Sequence, residues 1–161
     1  VEVGPDALVG TLHEGWKQVN AELAYERSGP ERWLSAFRLM ASFNEVYAGR
    51  LDAAQKARMG RLFAHFFTLR KMSCSIAGML QAGRMPNSES SMVKDMGTLY
   101  EREMMQVLRD IDEDHGRYGT RQNPMLRTLL EQSLLMAPAF TIRGGTTEIL
   151  RSTIARGLKL R

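Results

Sequence analysis

Apolar residues recur at helical spacing along nearly the whole chain, and glycine or proline interrupts them at intervals. From Asp52 to Gln81 the stripe is Leu62, Phe66, Leu69, Met72 and Ile76. Such a stripe puts one apolar face on a long helix, and that face must be buried against other helices. Asp52 is a good N-cap for it, and Gly83 and Pro86 close it. A helical segment from about Glu14 to Gly49 precedes it, broken at Ser28-Gly29-Pro30, because proline is tolerated only in a helix's first turn. After the break, Trp33, Phe37, Met40 and Ala41 share a face. A third helix starts at Asn87 or Ser88 and carries Met104, Val107, Leu108 and Ile111 as far as Asp112–Gly116. Asn123-Pro124 reads as the cap and first residue of a fourth. That helix buries Leu126, Leu129, Leu130 and Leu134, and Pro138 is expected to end it. A last helix repeats Leu150, Ile154 and Leu158. Long amphipathic helices with short connections predict an all-α fold, an antiparallel four-helix-bundle-like domain with short extra helices.

The chain's 161 residues are enough for one domain with a real core. Its 43% hydrophobic content, 7% aromatic content and 11 methionines suit helical packing. The net charge of +4 comes without a Lys/Arg run interleaved with aromatics, which argues against nucleic-acid binding. No apolar run is long enough to span a membrane and no signal peptide opens the sequence, which points to the cytosol. Cys74 lies in an apolar helical stretch and reads as a small core residue. His13, His65 and His115 are scattered without metal-ligand spacing, so no metal site is expected. Asp110, Asp112, Glu113 and Asp114 at a helix C-terminus read as a solvated turn.

Two segments could carry chemistry. Gly144 and Gly145 are followed by Thr146, Thr147 and Glu148, then by an apolar helix. Either threonine can cap that helix, and the loop's free N–H groups form a ready site for an anion or a polarised carbonyl. The plainer reading is a helix start with a capping threonine. Glu26, beside Arg27, could act as a general base. A carboxylate next to an apolar pocket binds protons more readily and can remove one from carbon. The plainer reading is a surface acid beside a surface base.

In combination these segments resemble the C-terminal helical domain of the acyl-CoA dehydrogenases over almost the whole chain. Ile142-Arg-Gly-Gly-Thr-Thr-Glu-Ile-Leu-Arg151 and Ile154-Ala-Arg-Gly-Leu158 are similar to the family's terminal signature. Leu23-Ala-Tyr-Glu-Arg27 resembles the opening of its first long helix. Val1–Gly10 and Gly15-Trp16 resemble the passage out of a middle β domain, with Val1–Asp6 read as a strand end and turn. Residues 1–12 are therefore expected to be the exit from a preceding domain and residues 13–161 the helical bundle, a piece of a longer protein.

The resemblance implies FAD and an acyl-CoA thioester bound between domains, and α,β-dehydrogenation to a trans-2-enoyl-CoA. Electrons would pass to an electron-transfer flavoprotein, and helix faces would assemble dimers or tetramers. Most relatives carry the base just before the glycine-threonine of the terminal motif, where this chain has Gly144. A minority, isovaleryl- and long-chain-like, carry it in the first helix at the position of Glu26. This implies Glu26 as the catalytic base, Arg27 and Gly144 as substrate-binding residues, and Gly145, Thr146 and Glu148 as FAD contacts. Arg50-Leu-Asp-Ala stands where relatives have Arg-x-x-Phe-Gly, and His115-Gly-Arg-Tyr-Gly119 where they have Gln-x-x-Gly-Gly-x-Gly. In relatives both segments touch the FAD of a neighbouring subunit. The departures raise the alternative of a non-catalytic or divergent partner subunit in a heteromeric enzyme.

Overall fold

A computed structural model describes residues 1–160; Arg161, the last residue of the expected bundle, lies outside the described residues. The described chain contains seven α-helices and no strand. They are α1 (Gly15–Ser28), α2 (Phe37–Tyr47), α3 (Ala53–Gln81), α4 (Asn87–Asp114), α5 (Tyr118–Gln122), α6 (Pro124–Ile142) and α7 (Thr147–Gly157). The architecture is the expected all-α, bundle-like domain. No described helix is long and apolar enough to cross a membrane.

Local sequence chemistry sets most boundaries. The break after Ser28 is a 3-10 turn, Pro30–Arg32, with Pro30 at its first position. Asp52 caps α3 through a reciprocal box: its carboxylate accepts from the Gln55 N–H at 2.8 Å, and the Gln55 side chain returns to the Asp52 N–H. Asn123 caps α6 by accepting from the Leu126 N–H at 3.0 Å.

Helix α4 is the spine. It packs against α1, α3, α6 and α7. Its Val93, Met104, Met105, Leu108 and Ile111 meet Leu39, Met40 and Phe43 of α2, Leu62 and Leu69 of α3, and Leu126 and Phe140 of α6 in one core. Leu150 of α7 is also buried.

Several sequence-based expectations need correction. Helix α6 runs through Pro138 to Ile142. Proline removes one donor and strains the turn before it, but the helix resumes because Phe140 is driven into the core. Leu158 is exposed beyond the end of α7, whereas Phe37, though partly exposed, stacks on Phe66 at the edge of the core. Cys74 is also exposed. It follows Leu69 by five residues, about 140° further round the helix from the core face. A short helix, α5, occupies part of what reads as a loop. At the start, Val1–Gly4 form no regular structure, and Pro5–Ala7 form a 3-10 turn where a turn was expected.

The acidic run is not uniformly solvated either. Asp112 is 2% exposed. It accepts from Tyr47 Oη at 2.5 Å, from the Thr120 N–H at 3.1 Å and from Thr120 Oγ1 at 2.7 Å. Tyr47 Oη in turn accepts from the Gly119 N–H at 3.0 Å. This network joins α2, α4 and α5, and burial with the Asp112 contact holds the Tyr47 hydroxyl protonated above its ordinary range. Gly119 is required here, since a Cβ would lie 2.6 Å from the Tyr47 ring. Asp112→Ala leaves buried donors without an acceptor and should cost about 3 kcal/mol. The check is urea unfolding against Glu131→Ala, an exposed control expected to change stability by less than about 0.5 kcal/mol.

Candidate active site

The two segments singled out above come together although more than a hundred residues separate them. Glu26 and Arg27 lie in the last turns of α1, and Gly144 and Gly145 link α6 to α7. All four line one open cavity of about 840 Å³, whose walls also include Trp16, Leu23, Asn87, Ser88, Ile149 and Arg156.

The tie between them is direct. Arg27, 7% exposed, donates from Nε to the Gly144 carbonyl at 2.7 Å and from a terminal nitrogen to Ser91 Oγ of α4 at 3.4 Å. Burial lowers its affinity for the proton, and the neighbouring Glu26 partly offsets this. Gly144 and Gly145 have φ of +67° and +114°, conformations that residues with a Cβ adopt at a cost. A Cβ on Gly144 would stand 3.6 Å from Glu26 Oε1. Residues 26 and 144 therefore face the same spot.

Glu26 does not have the fully apolar surroundings expected for a base of this kind. Its side chain is 42% exposed and forms an ion pair with Arg32. Arg32 lies in the 3-10 turn after α1, and nothing in the sequence marked it.

A second missed residue shapes the loop. Lys94 of α4, 1% exposed, donates from Nζ to the Phe140 carbonyl at 2.8 Å and to Thr98 Oγ1 at 2.6 Å. Thr98 Oγ1 also donates to that carbonyl, at 3.3 Å. A continuing helix would have used the Phe140 carbonyl to pair the Gly144 N–H. With the carbonyl taken, the Gly144 N–H has no acceptor among the described residues. The only sequence sign was a lysine on the apolar side of a helix.

At the start of α7, Thr146 occupies the N-cap without a side-chain bond to the helix. Glu148 fills that end instead. Its own backbone N–H, and then the Thr146 hydroxyl, hold its carboxyl below the usual carboxylate range. The loop thus offers the Gly144 N–H and side-chain-free glycine backbone, while the Thr146 hydroxyl and the Glu148 N–H turn to the Glu148 carboxylate. A flavin held here by Gly145, Thr146 and Glu148 would meet bare backbone, a hydroxyl and a carboxylate.

The two segments that stand where relatives contact a neighbour's flavin make contacts within this chain. The Arg50 guanidinium lies 4.2 Å over the Tyr118 ring. His115 Nε2 pairs with Gln55 Oε1 at 3.0 Å.

Residues 13–159 match the family model for the acyl-CoA dehydrogenase C-terminal domain. The chain belongs to that family. It is also 26% identical, over 159 residues, to the acyl-CoA dehydrogenase FadE34 of Mycobacterium tuberculosis (strain ATCC 25618 / H37Rv). That alignment covers 98% of this chain and 21% of the relative, so the chain spans about a fifth of the relative's length. In this acyl-CoA dehydrogenase domain the terminal motif and the end of the first long helix form one wall.

The buried lysine makes stability depend on pH. Burial, then the nearby Arg32 and Arg143, lower the Lys94 pKa from 10.5 to about 8, with Glu101 and Asp95 opposing. Between these values the unfolded chain binds more protons than the folded one, so stability rises with pH. The rise should reach roughly 2–3 kcal/mol by about pH 10. Above pH 10, Tyr47 and Tyr100 reverse it, because burial raises both and the folded state then holds the extra protons. Denaturant titrations at pH 7, 8, 9 and 10 should show the rise, and Lys94→Met should abolish it.

Proposed function

We propose that this chain is the C-terminal helical part of a flavin-dependent acyl-CoA dehydrogenase that oxidises an acyl-CoA thioester to the trans-2-enoyl-CoA, with Glu26 as the base. The observation that carries this is the meeting of Glu26 and Gly144 at one cavity wall. In the family the base comes from one of these two positions. Here residue 144 has no side chain, and the carboxylate of residue 26 stands at the same place.

The chemistry assigned to this chain's residues is limited and specific. The Gly144 N–H, free of an internal acceptor, would donate to the thioester carbonyl. That withdraws charge from the carbonyl and acidifies the adjacent α-carbon. Glu26 would take the α-proton, and Arg27 would hold the loop against α1 so that donor and base keep their spacing. FAD, when bound, supplies the acceptor for the hydride leaving the β-carbon. Gly145, Thr146 and Glu148 would orient it by backbone and hydroxyl contacts. An electron-transfer flavoprotein as the electron acceptor, and assembly through helix faces, belong to the same proposal.

The internal engagement of Arg50 and His115 favours a second reading of the assembly. Under that reading the flavin site is completed by a different subunit, and this chain supplies only part of it. Its mark would be a full-length protein that purifies without FAD and takes it up beside a second subunit.

The catalytic assignment is tested by Glu26→Gln in the full-length, FAD-loaded protein. The amide keeps the shape and cannot accept the proton, so flavin bleaching by acyl-CoA should slow by about 10³-fold or more. FAD content and acyl-CoA affinity should stay within about threefold. Bleaching at the unaltered rate would remove Glu26 from the mechanism.

A further inference from the structure

We infer that Arg32 is the positioning residue for Glu26: its guanidinium holds Oε1, the carboxylate oxygen beside Gly144, and so fixes the carboxylate at the cavity wall. The inference rests on the proposed role of Glu26 as the base.

The geometry is a two-point grip on a single residue. Arg32 Nε donates to the backbone carbonyl of Glu26 at 3.0 Å, and a terminal nitrogen donates to Glu26 Oε1. Both hydrogen bonds of a guanidinium that is 5% exposed therefore go to Glu26. Arg27, by contrast, spends its hydrogen bonds on the glycine loop and on α4, so the two arginines divide the work between loop and carboxylate. Glu26 Oε2 has no hydrogen-bond partner among the described residues, and Glu26 lines the cavity. A planar fork that binds backbone and side chain together leaves the carboxylate little rotational freedom.

The turn carrying Arg32 is itself fixed. Gly97 of α4 lets the turn sit flush, since a Cβ there would be 2.6 Å from the Arg32 carbonyl oxygen. Just beyond it, the Ser35 N–H donates at 2.6 Å to Glu101 Oε1, a fully buried carboxylate of α4. The Arg32 Cζ would lie 3.8 Å from a Cβ on Gly144, so the clamp reaches the point where the carboxylate and the loop converge. Glu31 Oε1, 3.9 Å from Arg32 Nε, is the other acid near the guanidinium.

The test uses the full-length holoenzyme and four variants: Arg32→Met, Arg32→Lys, Gly97→Ala and Glu26→Gln. Misplacing a base by about 1 Å costs on the order of 10²-fold. Arg32→Met should therefore slow flavin reduction by at least about tenfold at saturating acyl-CoA, with KM changed less than about threefold. Arg32→Lys keeps the charge but not the planar two-point fork, and it should recover only part of the rate. Gly97→Ala leaves both residues intact and displaces the turn, so it should lower kcat in the same direction. A readout separate from turnover is exchange of the acyl-CoA α-hydrogen with D2O, followed by NMR on the ligand. It should fall in parallel with the flavin-reduction rate. If Arg32→Met does not retain FAD, the lysine variant decides, and a lysine enzyme with wild-type kcat and α-exchange overturns the inference. A loss confined to KM, FAD content or thermal stability, with kcat and α-exchange intact, also overturns it. Glu26→Gln separates the two claims. If it abolishes α-exchange while the Arg32 variants do not lower it, the clamp fails and the base stands. If it leaves α-exchange unchanged, the base assignment fails first.

Discussion

The hydrogen bond from Arg27 to the Gly144 carbonyl holds the site together. It spans 117 residues of sequence and joins the end of α1 to the loop between α6 and α7. A charged donor to a neutral carbonyl in a largely buried setting contributes about 1.5–3 kcal/mol. Its structural consequence matters more than that figure. It brings a carboxylate on α1 to face a side-chain-free stretch of backbone in the loop between α6 and α7. The same guanidinium reaches Ser91, so the spine helix α4 sets where both ends meet.

Helix α4 carries several buried charged groups, and four of them act on neighbouring elements. Lys94 takes the Phe140 carbonyl and shapes the exit of α6. Glu101 takes the Ser35 N–H and secures the turn after Arg32. Asp112 locks α2 and α5 at the far end. Asp95 pairs with Arg151 of α7 at 3.1 Å. Buried charges cost several kcal/mol unless they are paired and hydrogen-bonded. Their concentration on one helix shows where the fold spends stability on geometry. Two of them, Lys94 and Glu101, hold segments that lead into the proposed site: the end of α6 before Gly144 and the turn after Arg32.

Much of the fold could be read from residue spacing, because amphipathic periodicity and caps are local. Asp52, Asn123 and the Ser28–Pro30 break mark their boundaries where the structure has them. What failed depends on tertiary context. Pro138 reads as a stop, but burial of Phe140 carries α6 past it. Asp112 looks like one more surface acid until Tyr47 and Thr120 arrive from other elements. Glu26, Arg27, Gly144 and Gly145 could be picked out because short motifs carry them. Arg32 and Lys94 could not, since their partners are a backbone carbonyl and a carboxylate that only folding brings near. The polar setting of Glu26 was hidden for the same reason.

The central claim is that one wall of one cavity presents both the base and the carbonyl donor. The most direct measurement is a crystal structure of the full-length, FAD-loaded protein with a non-reacting acyl-CoA analogue. The account predicts the Glu26 carboxylate about 3–3.5 Å from the α-carbon, a near-attack distance. It also predicts the Gly144 N–H within about 3.1 Å of the thioester oxygen. A different carboxylate at the α-carbon, or a thioester lying away from Gly144, would contradict it.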